Sequence, residues 1–191
     1  MNKKYNYYVL YMIFVLVWNM LFIAAPFIAA SGDKGTAGVI YKGFTPFCHQ
    51  LPQRSFCLIQ PPAGGSYVAD CVQEDTRMID RYTYTDSRGT GYEFAVDARD
   101  NAIYIMMFLA GIAYPFIRRV DDDRMPPLWL FVLALIPIGL DGTTQLVGWR
   151  ESTNTLRVIT GAIAGTAVAF YAIPLLYYFI PIAKDAFLRR K

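Results

Sequence analysis

The sequence predicts an all-α membrane protein: four transmembrane helices with a roughly 70-residue extracytoplasmic insert containing a small β-hairpin. Three observations lead there. Charged residues make up 17% of the chain, below the roughly 25% of soluble domains. The apolar residues gather in four long runs. Lys and Arg concentrate in alternate connections between those runs. The division is a first transmembrane helix over 1–30, an extracytoplasmic loop domain over 31–100, and a three-helix membrane portion with short loops over 101–191.

The first run, Tyr7 to Ala30, exceeds the ~20 residues needed to cross a bilayer core. Lys3 and Lys4 precede it and IAAS follows, as in a cleaved signal peptide, but its apolar stretch is too long for a signal core, so a retained helix is expected. The second run, Asn101 to Ile117, is short and borrows flanking residues. The third begins at Pro127 and continues through DGTTQLVGW. The fourth runs from Val158 to Ala183, and its Gly161 and Gly165 form a GxxxG pair that lets a neighbouring helix approach. Pro26, Pro115, Pro137 and Pro174 imply bends whose freed carbonyls need partners.

Basic residues fix the orientation. Lys3 and Lys4, Arg118, Arg119 and Arg124, and Lys184, Arg189, Arg190 and Lys191 all fall on one side. The expected topology is a multi-pass cell-membrane protein with both termini cytoplasmic and residues 31–100 outside. Within that segment, Arg81 to Val96 alternates aromatic and polar residues around a Gly-rich turn and reads as a β-hairpin. Pro61 to Ser66 reads as a turn, and Asp70 to Arg81 as one short helix.

An outward position permits disulfides. Cys57 and Cys71 flank the Pro-Gly turn and are the favoured pair, which leaves Cys48 free beside His49, the single histidine. Pairing of Cys48 with either of the other two is the alternative.

Polar groups recur where they are expensive. Asp141 lies deep in the third run, and Gln145 follows on the same helix face. Arg99, Arg150 and Arg157 are the cations within reach of that carboxylate. Glu151 and Asn154 follow, and Ser152 or Thr153 is placed to cap the fourth helix. One account makes these groups buried ion pairs and caps that hold bent helices to the outer segment. The other makes them a functional site. The stretch CHQLPQRSF, Cys48 to Phe56, is expected to fold back onto the helix ends, with His49 or Arg54 hydrogen-bonded to the group around Asp97 and Asp141.

CHQLPQRSF, VDARDNAIY (Val96 to Tyr104) and GLDGTTQLVGWRESTNTLRVITG (Gly139 to Gly161) together resemble a family of small prokaryotic integral membrane proteins, domain of unknown function 2085. The resemblance covers roughly Gly43 to Gly161, less an insert from about Leu58 to Gly91. It implies a membrane protein without an assigned activity, and carries the family pattern onto Cys48, His49, Asp97, Arg99 and Asp100. Asp97 stands where the family pattern has a cysteine. That departure weakens a thiolate metal site, since Cys48, His49 and Asp97 would mix ligand types that Zn²⁺ accepts but rarely needs.

Two functions compete. The first is an accessory, non-catalytic subunit of a larger membrane protein complex, energy-converting complexes being one such class, with membrane lipids and other membrane subunits as partners. The second is a membrane enzyme or metal-binding protein with a polar site at the outer face, drawn from Cys48, His49, Arg54, Asp97, Arg99, Asp141, Gln145, Glu151, Asn154 and Arg157. Four helices without an internal repeat argue against a secondary transporter. No phosphate loop, dinucleotide fingerprint or haem CxxCH is present, so no cofactor is called for and no metal is assigned. The small net charge of +3, without a pooled basic face, excludes a nucleic-acid footprint.

Overall fold

The computed structural model describes residues 6–48 and 50–188, the last five by their backbone path alone. The helices are α1 (Asn6–Ala30), α2 (Lys34–Phe44), α3 (Ala98–Ile117), α4 (Leu128–Leu146) and α5 (Asn154–Leu188). Between α2 and α3 lie five strands: β1 (Phe56–Gln60), β2 (Tyr67–Asp70), β3 (Arg77–Asp80), β4 (Thr83–Asp86) and β5 (Gly89–Glu93). By length and composition, α1, α3, α4 and the Asn154–Ala183 part of α5 are each able to cross a membrane. Lys3, Lys4, Arg189, Arg190 and Lys191, which carry part of the charge argument, lie outside the described residues.

The helices pack through small residues and freed carbonyls. A Cβ on Gly161 would stand 2.5 Å from the Arg99 carbonyl oxygen, and one on Gly165 would stand 2.3 Å from that of Ile103. The GxxxG pair therefore sets the close approach of α5 to α3. Pro115 has no N–H and frees the carbonyl of Gly111 one turn back. The Tyr8 hydroxyl of α1 donates to that carbonyl at 3.0 Å. Tyr11 donates to the Met107 carbonyl at 3.0 Å, and Asn19 donates to the carbonyls of Val15 and Tyr104. The polar atoms of α1 thus serve as its attachment to α3. In α4, by contrast, Asp141 is the only buried residue.

The strands form one antiparallel sheet in the order β2-β1-β5-β4-β3. The hairpin expected within Arg81 to Val96 is β4–β5, closed by Ser87 and Arg88 with Asp86 opposite Gly89. Gly89, at φ +128°, has the Gln60 carbonyl oxygen 2.2 Å from where a Cβ would sit, so no side chain fits there. Arg88 pairs with Asp86 and donates to the carbonyls of Asp70 and Cys71, tying the hairpin turn to β2. Cys57 and Cys71 are joined by a disulfide, with Cα atoms 4.8 Å apart.

Two expectations need correction. The chain is mostly helical rather than all-α, because the hairpin is one part of a five-stranded sheet. Asp70 to Arg81 is not a helix. It holds the end of β2, a turn and β3. The disulfide at Cys71, the bond from the Cys71 amide to the Ser55 carbonyl and the pairing of β3 with β4 outweigh its local helical preference.

The sheet rests on a core made with α1 and α2. Phe22, Ala25 and Ala29 of α1 pack with Tyr41 and Phe44 of α2 and with Val96. Tyr41 stacks on Tyr82 with ring centroids 4.0 Å apart and donates to the Glu93 carbonyl. Gln50, in the left-handed region at φ 51°, sends its buried amide to the carbonyls of Tyr41 (2.8 Å) and Ala95 (3.0 Å).

Candidate functional site

Asp141 is the polar centre of the helical part. It is 2% exposed, and both carboxylate oxygens are occupied. Arg99, in the first turn of α3, pairs with Oδ2, which also accepts from the Ser152 hydroxyl at 2.8 Å. Arg150 pairs with Oδ1 at 2.7 Å. The close α3–α5 contact brings Arg99 to α4, and Gly142 leaves room beside its guanidinium. A carboxylate that is costly in an apolar setting is thereby paired with two guanidinium groups and hydrogen-bonded by a hydroxyl.

The start of α5 joins this centre to the sheet. Thr153 caps the helix by accepting from the Leu156 amide at 3.3 Å, which frees Ser152 for Asp141. Asn154 donates to Asp70 of β2 at 2.8 Å. Arg157 is 2% exposed and donates to the Asn154 side-chain oxygen at 3.1 Å, with a longer contact of 3.5 Å to the Gln53 carbonyl. Beside it lies a polar cavity of about 290 Å³ bordered by Arg54, Gln145, Glu151 and Arg157.

A second group forms around the N-terminus of α3. Asp97 is the N-cap, its carboxylate accepting from the Asp100 amide at 2.9 Å. The Cys48 sulfur accepts from the amides of Gln50 (3.4 Å) and Asp97 (3.3 Å). Ligand atoms of Cys48, Asp97 and Asp100 lie within 4.8 Å of one another. Burial, aided by the Asp97 charge, pushes the Cys48 thiol up to about 12, so it holds its proton at neutral pH. A small cavity of about 90 Å³ adjoins this group, with Arg54 on its wall as well.

The structure thus places the candidate residues in two neighbouring clusters separated by Arg54. The expected bond from Arg54 to Asp97 or Asp141 is not made: no side-chain hydrogen bond joins Arg54 to another described residue, and Asp141 is filled by Arg99, Arg150 and Ser152. His49 lies outside the described residues. Within the described residues, Gln50 of the same segment joins α2 to the stretch before α3. Sequence reasoning also passed over Ser152 as a carboxylate partner and Glu93, a fully buried acid of β5 that accepts from the Tyr84 hydroxyl at 3.0 Å. Alternation of β5 on a half-buried sheet was the signal that would have found Glu93.

Residues 88–171 match a family model described as a predicted membrane protein, DUF2085. This span holds the second and third sequence blocks, and CHQLPQRSF falls before it. The chain is 35% identical over 180 residues to an uncharacterised protein of Methanocaldococcus jannaschii, covering 92% of this chain and 96% of that protein. It is 40% identical over 79 residues to an uncharacterised protein of Methanothermobacter thermautotrophicus, covering 41% of this chain and 69% of that protein. No solved structure matches. A family match over α3, α4 and the first half of α5, with a full-length relative beside it, places the chain in the DUF2085 family of predicted membrane proteins.

Proposed function

We propose that the protein is an accessory, non-catalytic subunit of a larger membrane protein complex, energy-converting complexes being one such class. In this reading α1, α3, α4 and Asn154–Ala183 cross the cell membrane, both termini are cytoplasmic, and residues 31–100 form an outer domain. The placement of Arg118, Arg119 and Arg124 at the end of α3 remote from the sheet supports that orientation. The observation that carries the accessory role is on the sheet. Edge strand β3 exposes Met78 (65%) and Ile79 (56%). Apolar residues facing lipid need no partner, whereas an apolar sheet edge facing water invites one.

Purification from the native membrane in mild detergent tests this, with native electrophoresis as the readout. The expected result is a hetero-oligomer that Met78→Lys with Ile79→Lys dissolves. A single species of about the 21.6 kDa chain mass plus micelle refutes it. The topology is tested by labelling Ser66→Cys with an impermeant maleimide on intact cells. Modification only after lysis refutes the outer placement.

The second reading, a metal-binding protein, is favoured by the convergence of Cys48, Asp97 and Asp100. A thiol that gives up its proton on binding, with two carboxylates, offers a mixed set that a divalent transition metal accepts. The same purified sample should then contain about one metal ion per chain by elemental analysis, and Cys48→Ser should lose it. A metal-free wild-type preparation from metal-replete cells refutes this reading.

A further inference from the structure

Among the described residues, Arg157 is a buried cation without a counter-ion. It is 2% exposed, its guanidinium contacts one amide oxygen and one carbonyl, and no carboxylate is within ion-pairing distance among the described residues. Asp141 is already saturated by two arginines and a hydroxyl. A buried charge left so is costly unless something completes it. Arg157 faces the polar cavity of about 290 Å³, and so does Arg54, whose side chain, unlike that of Arg157, makes no hydrogen bond to a described residue. Gln53 and Gln145 border the same space. The acidic group on its wall is Glu151, which is exposed and can turn to solvent. Two guanidinium forks and amide groups converging on one cavity match the geometry of a tetrahedral oxyanion.

We propose that this cavity binds a phosphate-bearing anion, held by Arg157 from α5 and Arg54 from the CHQLPQRSF segment. The ligand would be inorganic phosphate or the phosphate of a lipid headgroup, and in either case it would join the segment before β1 to the start of α5. This goes beyond the accessory-subunit reading and does not depend on it.

The test uses the full chain in neutral detergent. Thermal unfolding is followed with inorganic phosphate added against sodium chloride of equal ionic strength. Native mass spectrometry then follows extraction from vesicles of equal phosphatidylglycerol and phosphatidylcholine. A midpoint that rises with phosphate identifies the free anion. Selective retention of phosphatidylglycerol identifies the headgroup. In either arm Arg54→Gln should weaken binding about tenfold or more, as expected for loss of a charged hydrogen bond. Arg157→Lys keeps the charge but not the fork, and should bind more weakly than wild type while remaining folded. The proposal is overturned if neither arm responds in the wild type, or if Arg54→Gln responds as the wild type does.

Discussion

Replacing Asp141 separates the contributions of its partners. The carboxylate is 2% exposed, while the side chains of Arg99 and Arg150 are 21% and 43% exposed. Arg150 can turn to solvent when its partner is removed, so its pair is worth roughly 0–1 kcal/mol. Arg99 is held between α3 and α4, and its Nε is already buried without a partner. Stranding a charge in such a place costs about 3–5 kcal/mol. Asp141→Ala is therefore expected to destabilise by about 4 kcal/mol. For a chain of this length that lowers the unfolding midpoint by about ten degrees. Asp141→Asn keeps an acceptor for Ser152 and Arg99 but loses the charge, and charged hydrogen bonds are about twice as strong as neutral ones, so about half the loss is expected. The assay is thermal unfolding of the purified variants in detergent, with Arg99→Gln and the double variant Arg99→Gln/Asp141→Ala alongside. The double variant should be less destabilised than the two single effects together, since no charge is left stranded. Equal stability of Asp141→Ala and wild type, or strict additivity in the double variant, would refute the account of Asp141 as a buried ionic junction.

Burial holds the Glu93 carboxyl up at about 7, against an ordinary value of 4.5 and despite the hydrogen bond from the Tyr84 hydroxyl that pulls it down. The fold keeps this proton while the unfolded chain gives it up, so stability falls by about 3 kcal/mol as pH rises from about 4.5 to about 7, and Glu93→Gln should flatten that part of the stability–pH curve. Gly165→Ala drives a methyl into the backbone of Ile103 and should cost about 1–3 kcal/mol, read as a lowered unfolding midpoint. Reduction of the Cys57–Cys71 bridge, which spans a separation of 14 residues, should cost about 3 kcal/mol. Rapid alkylation and intact-mass analysis without reductant should meanwhile find one free thiol, Cys48.

The long helices were legible because apolar runs of this length have few alternatives, and their ends moved by only a few residues. Asn101 became Ala98 for α3 and Val158 became Asn154 for α5, since polar first turns fall outside an apolar window. The short helix α2 escaped notice because KGTAGVIYKGF contains three glycines and owes its helical form to the Asp33 cap and to Tyr41 and Phe44 packed on α1. The sheet was only half legible. β4–β5 is a local hairpin, but β1 pairs with β5 across more than thirty intervening positions (Cys57 with Glu93), and nothing local announces such pairing. At the candidate site, Asp141 was visible as a polar residue in an apolar run, and Arg99 and Arg150 as cations within reach. Which cation would bind it depended on the α3–α5 approach, a tertiary fact. Gln50 was invisible for a different reason: its role follows from a positive φ, which the sequence does not signal outside glycine and asparagine.

The sequence positions of the Asp141 partners also order the making of the protein. Synthesis runs from the N-terminus. Arg99 precedes Asp141 by 42 residues, whereas Arg150 and Ser152 follow it by 9 and 11. As α4 emerges, its carboxylate can meet only the arginine already laid down. Two of its three partners, and the face of α5 on which α4 packs, do not yet exist. A nascent chain halted between α4 and α5 would hold a half-paired acid in an otherwise apolar helix. The last helix then completes the protein by supplying the missing partners to the helix before it, so a truncation that removes α5 should strand α4 as well.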